Sequence, residues 1–327
     1  MRTLSPGEVL DELGRLHDRL ARPSQLWLDY LQWYGQHSRT KGLEATFWPY
    51  KPSREPGKLA GALSVNLFGA ECYQVTAEIV AIISEIYQNS QGLTGHLEQA
   101  ELPADAGFAW LDEPVLMTDV HGKRSTHRAI SWRVISFPPG PTGAAIRLTT
   151  WSHIEDPDDY SETMDEKLAG LGPLAMLHST IIPFAQQLPV GMTEQGYDSS
   201  FGWVHALWMF MGTEIAAAQR PQIHRNFARR AMRSVKQNQV NVVLLRRAAH
   251  HEGGGEHREI DWKCCWLVQG HGRHLEGYDG PHHRAILDAG RRHCLTCGAR
   301  ATYVSPYVKG PDNMPLKASR LVFRVSR

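Results

Sequence analysis

Three consecutive segments in which apolar and polar residues alternate constrain the fold of this chain most strongly. FAWLDEPVLMTDV, STHRAISWRVISF and AAIRLTTWSHI lie within residues 105–153 and are rich in β-branched and aromatic residues. They are separated by HGK and PPGPTG, which contain the glycine and proline typical of turns. Successive side chains of a strand point to opposite faces of its sheet. The pattern therefore predicts an antiparallel meander of three strands.

Helical patterns lie on both sides of this meander. Residues 1–104 predict a mostly helical region, with two amphipathic helices that start near Ser5 and are broken near Pro23. Aromatic residues at helical spacing in the second of these helices predict core positions. In the same region, ECYQVTAEIVAIISEIYQ predicts one continuous helix. Residues 154–238 predict a second helical region, in which FGWVHALWMFMGTEIAAAQ is too short to span a membrane and predicts a buried helix.

The C-terminal region, residues 239–327, predicts a second antiparallel sheet. VNVVLLRR, EIDWKCCWLVQGH, ATYVSPYVK and RLVFRVS have the composition of strands, and residues 272–300 form an insertion between two of them. The predicted fold class is therefore α+β. It combines helical N-terminal and central segments with two antiparallel sheets, the C-terminal one carrying an insertion that contains a Cys-x-x-Cys pair.

Composition limits the class of protein. With 327 residues, of which 42% are hydrophobic, the chain can bury a substantial core. No apolar run approaches the roughly 20 residues that cross a bilayer, so membrane insertion is not predicted. Only five cysteines are present, and four of them lie between positions 264 and 297, unlike the framework of a disulfide-rich secreted protein. These features predict a protein of the reducing cytoplasm.

The Cys-x-x-Cys pair in HCLTCGAR predicts a metal site. Two thiolates at this spacing supply half of a tetrahedral zinc site, and two further nitrogen or sulfur ligands are needed. Nearby residues offer them, and a structural zinc is favoured over a catalytic one because the deaminase signature H-x-E with P-C-x-x-C is absent. A reduced pair without metal and a regulatory disulfide stay open as alternatives. The candidate ligands are Cys294, Cys297, His282, His283 and Cys265.

A second group of chemically versatile residues lies beside this pair in the sequence. The strand ending in GHGR carries His271 and Arg273, and the strand YVSPYVK, expected to pair with it, carries Tyr307 and Lys309. Such side chains can bind a phosphate and, in metal-free ribonucleases, share proton transfer and charge stabilisation. The alternative is that the glycines mark turns and the polar side chains face water. These four residues are the candidate catalytic set.

The same two segments carry a resemblance. WLVQGHGRH followed by YVSPYVKGPDNMPLK is similar to the C-terminal signature, W-x-V-x-G-H-x-R and then P-Y-x-K-G-P, of uncharacterised proteins from actinobacteria, their phages and their mobile elements. The resemblance implies no activity, but it implies that the last strands act as one unit. This chain departs from the short form of the signature through its His-rich insertion. The metal would therefore belong to this version and not to the fold in general.

A net charge of +1 hides a strong segregation of charge along the chain. No Asp or Glu occurs from Ile215 to His251, and RPQIHRNFARRAMRSVK predicts a basic helix within that span. Its cations at spacings of three and four form a stripe that suits phosphates. A solvated helix face and docking on the chain's own acidic segment, residues 155–166, are the alternatives. The candidate nucleic-acid-binding residues are Arg225, Arg229, Arg230, Arg233 and Lys236.

Three functions are compatible with these patterns. The first is a cytoplasmic protein of phage or mobile-element origin that binds RNA or DNA and contains a structural zinc. The second is a metal-independent ribonuclease that resembles a toxin, and the third is a protein-interaction module or homo-oligomer without catalysis. The sequence contains no P-loop, dinucleotide-binding glycine motif, nucleophile elbow or HExxH, so it offers no support for nucleotide hydrolysis, redox cofactors or zinc-protease chemistry.

Overall fold

The structure is a computed structural model, and it describes most of the chain up to residue 246 and short strands beyond it. The described residues are 3–37, 55–88, 94–118, 124–138, 140, 142–153, 171–185, 187–189, 200–213, 215–246, 266–268, 271–274, 301–304 and 307–309. The described α-helices are α1 (Pro6–Ala21), α2 (Gln25–His37), α3 (Pro56–Leu67), α4 (Ala77–Gln88), α5 (Ser200–Met211) and α6 (Arg225–Ser234). A short 3₁₀-helix spans Gln99–Glu101.

Strands make up the rest of the described secondary structure. Up to the basic helix they are β1 (Glu71–Val75), β2 (Thr94–His96), β3 (Ala106–Thr118), β4 (Arg124–Ser136), β5 (Ala144–His153), β6 (Leu174–Pro183), β7 (Gln187–Pro189) and β8 (Ala216–Gln219). After that helix they are β9 (Asn241–Leu245), β10 (Trp266–Val268), β11 (His271–His274), β12 (Ala301–Val304) and β13 (Tyr307–Lys309). The mixed α+β class predicted from the sequence is confirmed.

The chain divides into two compact units. One comprises Met1–Gly212 and Ala218–Leu244, and the other comprises Thr213–Ala217 and Leu245–Arg327. The N-terminal helices, the meander and the basic helix share the first unit. In the part of the chain that the structure describes, no helix is both long and apolar enough to cross a bilayer.

A seven-stranded mixed sheet has the order β6-β5-β4-β3-β1-β9-β8, and its first five strands in this order lie wholly in the first unit. Strands β3, β4 and β5 pair antiparallel in succession, which confirms the predicted meander. Strand β6 extends it by pairing antiparallel with β5. The prediction of helix for this part of residues 154–238 was therefore wrong. Most of β6 is buried, so its sequence LAMLHSTIIP carries little of the alternation that marks a half-exposed strand.

The predicted helix ECYQVTAEIVAIISEIYQ was correct only in its second half. Its first five residues form β1, which lies between β3 and β9 and pairs parallel with both. Four of the five β1 residues, including Cys72, are buried. A strand buried on both faces reads as an apolar run without period two, so it cannot be told from a buried helix by periodicity. Helix α4 begins immediately afterwards, at Ala77.

Two further strands correct the sequence predictions. VNVVLLRR was assigned to a second antiparallel sheet, but β9 pairs parallel with β1 in the main sheet. The helix predicted over FGWVHALWMFMGTEIAAAQ ends at Met211, and Ala216–Gln219 forms strand β8. Alanine is the strongest helix former, so here pairing at the sheet edge overrides intrinsic propensity.

Helices α1, α2 and α3 share one hydrophobic cluster with the sheet. Leu13 of α1, Tyr30 of α2 and Leu63 of α3 are buried with Trp110 and Trp151 of the strands. The aromatic residues of α2 thus have the core role predicted for them: Tyr30 is buried, and Leu26, Trp33 and Tyr34 pack partly buried against the cluster. The predicted start of α1 is also confirmed, because Ser5 and Glu8 form a capping box ahead of Pro6.

Helix α5 packs against a different part of the same sheet. Trp132 of β4 meets Trp208 of α5 edge to face, with ring centroids 5.4 Å apart, and stacks on Tyr73 of β1 at 5.7 Å. The indole lies directly over Gly107, where an added Cβ would come within 2.1 Å of it. Only glycine fits at this position of β3 without displacing the Trp132 ring.

In the second unit, the structure describes two short antiparallel ladders. Strand β10 pairs with β13, and β11 pairs with β12. The residue numbers of each pair have the same sum in both ladders, so the two ladders share one antiparallel register. This is the pairing predicted between the GHGR and YVSPYVK segments. The inserted segment between β11 and β12 lies outside the described residues.

Candidate nucleic-acid interface

Helix α6 confirms the predicted basic helix and exposes all of its candidate cations. It begins after His224, whose Nδ1 accepts a hydrogen bond from the backbone N–H of Asn226. Arg225, Arg229 and Arg233 succeed one another at intervals of four residues, so they lie along one side of the helix. All three side chains are exposed, as is that of Arg230.

Lys236 departs from the predicted stripe. Helix α6 ends at Ser234, and Lys236 has a left-handed backbone conformation with φ of 58°. The residue is exposed, but its Cβ no longer follows the helical spacing of the three arginines. It therefore belongs to the turn after the helix.

Helix α6 docks on α1, a contact that the sequence did not predict. Phe227 packs over Gly7, where an added Cβ would come within 2.6 Å of the ring. Seven residues later, Gly14 faces Ala231 and Ser234. Because contacts advance in the same direction along both chains, the helices run parallel. The signal in the sequence was the pair of glycines one heptad apart, which leaves room for a second helix on one face of α1.

Asp11 links the two helices electrostatically. One of its carboxylate oxygens lies 2.8 Å from Nε of Arg230, and the other lies 2.7 Å from Nη2 of Arg15. The Asp11 side chain is only 8% exposed, whereas the two arginine side chains are more than half exposed. The Arg230 guanidinium also lies 5.1 Å from the Phe227 ring centroid, a cation–π contact. Arg230 is therefore held in place by α1.

Arg230 differs from the other candidate cations because it has a carboxylate partner. Within the described ranges, no carboxylate lies at ion-pair distance from Arg225, Arg229, Arg233 or Lys236. The acidic segment 155–166, considered above as an intramolecular partner, lies outside those ranges. The described structure thus presents a stripe of guanidinium groups to solvent.

A cleft of about 430 Å³ lies where α1 and α6 meet. Small residues complete its lining where the helices touch: Gly14, Ala231 and Ser234. The Ser234 hydroxyl is 2.8 Å from the Gly14 carbonyl oxygen and 2.5 Å from a carboxylate oxygen of Asp18. The charged residues of the lining come from both helices and are Arg15, Arg22, Arg230, Arg233, Asp11 and Asp18.

The candidate catalytic residues lie in the second unit, on strands that pair as predicted. His271 and Arg273 of β11 stand opposite Val304 and Thr302 of β12. Tyr307 and Lys309 of β13 stand opposite Val268 and Trp266 of β10. His271 and Arg273 thus lie in one two-stranded ladder, and Tyr307 and Lys309 lie in the other.

The predicted zinc ligands are not among the described residues, so the metal site stays a prediction. This applies to Cys294, Cys297, His282, His283 and Cys265. In the portion of the chain that is described, no group of three or more His, Cys, Asp or Glu side chains could hold a metal ion. Cys72 is a free, buried thiol, and burial raises its pKa.

Two arginines of the sheet form a separate basic pair. Arg133 of β4 and Arg147 of β5 stand directly opposite each other. Arg147 donates to the carbonyl oxygen of Ala62 at 3.2 Å, and Arg133 donates to the carbonyl oxygen of Phe68. The Phe68 carbonyl belongs to the C-cap of α3, where backbone acceptors lack partners within the helix, whereas Ala62 lies before the last turn of α3. The Arg133 guanidinium thus caps α3, and the Arg147 guanidinium joins the C-terminal half of α3 to β5. The sequence did not reveal either role.

His127 is a buried titratable group that the sequence did not single out. It lies in β4, is 2% exposed, and stacks on His178 of β6 with ring centroids 6.1 Å apart. Its Nε2 is 3.1 Å from the Ser125 hydroxyl, while its Nδ1 has no hydrogen-bond partner in the described structure. Burial, and to a smaller extent the neighbouring His178, lowers the pKa of His127 to about 3.

Comparison of the chain with models of protein families, with curated proteins and with solved structures gives no match. The similarity of the C-terminal segments to actinobacterial and phage proteins therefore stays a prediction.

Proposed function

We propose that this protein binds nucleic acid, with the exposed face of α6 as its phosphate-contacting surface. The observation that carries the proposal is the stripe of Arg225, Arg229 and Arg233, whose guanidinium groups are exposed and without an ion-pair partner among the described residues. Surface helices usually mix both signs of charge, whereas α6 contains no acidic residue. Arginine suits the task because its planar fork binds phosphate oxygens in pairs.

The test is a titration of fluorescent single-stranded and double-stranded RNA and DNA at several salt concentrations. Wild-type affinity is expected to fall steeply with salt, because phosphate contacts release counterions. Replacing Arg225, Arg229 and Arg233 together by Ala should weaken binding about 100-fold at low salt, at about 1 kcal/mol for each exposed contact. The slope of log affinity against log salt should decrease by about two to three.

The matched control removes three positive charges outside α6. It carries Lys58→Ala, Arg124→Ala and Arg246→Ala, all at exposed positions. This variant should bind within about threefold of wild type, because nonspecific charge effects are small beside direct contacts. Affinity retained by the α6 variant, or lost equally by both variants, would remove the proposal. Salt-dependent elution from a sizing column without any bound nucleic acid would instead favour the protein-interaction alternative.

A second candidate function is metal-independent ribonuclease activity of the C-terminal strands. It is supported by the antiparallel pairing of the strands that carry these residues, β11 with β12 for His271 and Arg273, and β10 with β13 for Tyr307 and Lys309. His and Lys can share proton transfer and stabilisation of the phosphorane charge. Cleavage of RNA that survives chelation but disappears in His271→Ala and in Lys309→Ala is the expected result. RNA that stays intact with the wild-type protein would exclude this function.

We also propose that the Cys-x-x-Cys segment holds a structural zinc, with a cytoplasmic location in keeping with its reduced thiols. The proposal is supported by the spacing of Cys294 and Cys297 and by the nearby candidates His282, His283 and Cys265. Metal analysis of the freshly purified protein, read with its absorbance ratio at 260 and 280 nm, tests zinc and bound nucleic acid together. Purified protein without zinc, or zinc retained in Cys294→Ser with Cys297→Ser, would contradict it.

A further inference from the structure

The cleft between α1 and α6 has an unusual balance of charge for a crossing of two helices. Four guanidinium groups line it, two from α6 and two from α1 and its C-cap, against only two carboxylates. The cleft therefore carries an excess of two positive charges. Its volume of about 430 Å³ falls in the range of small-ligand sites, roughly 300 to 1,000 Å³.

The arginines of the cleft are of two kinds. Arg15 and Arg230 are fixed from behind by the buried carboxylate of Asp11, which uses only part of their hydrogen-bonding capacity. Arg22 and Arg233 have no ion-pair partner among the described residues. The cleft thus combines two oriented cations with two that are available to a ligand.

Both carboxylates of the cleft interact with other side chains of the protein. Asp11 is shared between the two fixed arginines. Asp18 is close to the Ser234 hydroxyl, at 2.5 Å, and to His17 Nδ1, at 3.3 Å. Both acidic groups therefore have partners within the protein, and a bound anion would meet the guanidinium groups of the lining.

We propose that this cleft binds the terminal phosphate of a nucleic-acid strand. The inference rests on the proposed function and gives the α6 surface a preferred ligand. A phosphomonoester carries a charge of about −1.5 to −2 near neutral pH, whereas an internal diester carries one negative charge. The terminal group therefore matches the excess of two positive charges. Planar guanidinium forks from two helices can bind its several oxygens at once.

The test compares two single-stranded oligonucleotides of identical sequence, one with a 5′-phosphate and one with a 5′-hydroxyl. Binding to wild-type protein is measured by fluorescence anisotropy, with the label at the 3′ end, and a 3′-phosphorylated oligonucleotide labelled at its 5′ end provides a second arm. A terminal phosphate at one of the two ends is expected to tighten binding about tenfold, the contribution of a charge-assisted hydrogen bond. Arg22→Ala should abolish this advantage while leaving the 5′-hydroxyl oligonucleotide bound as before.

Arg22 suits the test because it is exposed and lies outside the α6 stripe. Lys58→Ala is the matched control, also exposed, and should keep the tenfold advantage. Equal affinity for the phosphorylated and hydroxyl oligonucleotides would overturn the cleft proposal and leave nucleic-acid binding by α6 standing. The same holds if the advantage survives in Arg22→Ala.

Titration with a mononucleotide tests phosphate binding by the cleft independently of nucleic-acid binding by α6. If no oligonucleotide binds, nucleic-acid binding fails, and the cleft is then judged by calorimetric titration with adenosine 5′-monophosphate and with adenosine. Binding of the monophosphate alone, lost in Arg22→Ala, would support the cleft as a phosphate site. Absence of monophosphate binding, or equal binding of the nucleoside, would overturn it.

Discussion

The arginines of the sheet and those of α6 show how the same side chain takes different roles. Arg133 and Arg147 stand opposite each other on paired strands and donate to carbonyl oxygens of α3 and of its C-cap. Arg225 and Arg229 are exposed and have no described carboxylate partner. The partner of a guanidinium group, more than the local density of charge, therefore distinguishes a structural cation from one available to a ligand.

The largest effect is expected for Arg147→Ala, which tests whether the arginines of the sheet stabilise the fold. Arg147→Ala removes a charged donor from the Ala62 carbonyl and from Oδ1 of Asn66, a buried residue. Loss of charge-assisted bonds should lower the free energy of unfolding by about 2 to 3 kcal/mol, measured by urea titration. Affinity for the oligonucleotide should not change under conditions in which the variant is folded.

Two variants define the limits of that prediction. Arg147→Lys keeps the charge but not the planar fork of donors, so it should recover only part of the stability. Lys58→Ala, at an exposed position of α3, should change stability by less than about 0.5 kcal/mol. The distinction between the two groups of arginines would be lost if Arg147→Ala stayed fully stable and weakened nucleic-acid binding as the α6 variant does.

A second prediction concerns His127, a buried group that the fold keeps uncharged. Because its folded pKa is about 3 and its unfolded pKa about 6.5, the unfolded state binds a proton first as the pH falls. Its contribution to stability is complete above about pH 6.5 and is lost progressively towards pH 3. Between about pH 7.5 and pH 5 the free energy of unfolding should fall by about 2 kcal/mol on account of this residue.

The comparison variant for this prediction is His127→Gln, which cannot titrate in that range. Its stability should fall by about 2 kcal/mol less than that of the wild type over the same pH interval, measured by urea unfolding at each pH. His96→Gln, at an exposed position, should follow the wild type. Identical pH dependence in wild type and His127→Gln would show that burial does not hold His127 neutral.

The smallest effects are expected for two cleft variants that distinguish loss of negative charge from loss of the ion pairs that position the arginines. Asp11→Asn and Asp18→Asn change the net charge equally, but only Asp11 forms the ion pairs that hold Arg15 and Arg230. Asp18→Asn should tighten binding of the oligonucleotide with a terminal phosphate about threefold, because it removes a repulsive charge from the cleft. Asp11→Asn should weaken binding of the same oligonucleotide about threefold, because it releases Arg230 and leaves Arg15 with its ion pair to Glu12 alone.

The readout for these two variants is the sign of the change in affinity, measured by anisotropy with unfolding curves for both variants. Equal tightening in Asp11→Asn and Asp18→Asn would mean that only net charge matters and that Asp11 does not position the arginines. Arg22→Ala serves as a reference for loss of a cleft cation without disturbance of Asp11.

Several elements of this fold could be predicted because their signals are local. The capping box at Ser5 and the basic stripe of α6 each depend on residues within a few positions of one another. The meander likewise follows from alternation and turns. Strand β1 could not be recognised, because burial on both faces removes alternation, and β6 was mistaken for helix for a related reason.

The candidate site was predicted in part. The sequence placed Arg225, Arg229 and Arg233 on one exposed face, and the structure agrees. It did not connect them with Arg15 and Arg22, because those residues read as ordinary polar positions of an amphipathic helix far away in the chain. Contacts at such separations depend on the tertiary fold, which local pattern does not encode.

The central position of β1 has a consequence for the order in which this protein assembles. Glu71 of β1 and Asn241 at the start of β9 are 170 residues apart, and Ser234 meets Gly14 across 220 residues. During synthesis, one edge of β1 and the glycine face of α1 therefore wait uncovered until most of the chain has emerged. Chains interrupted before α6 should aggregate, and the basic surface is completed among the last events of folding.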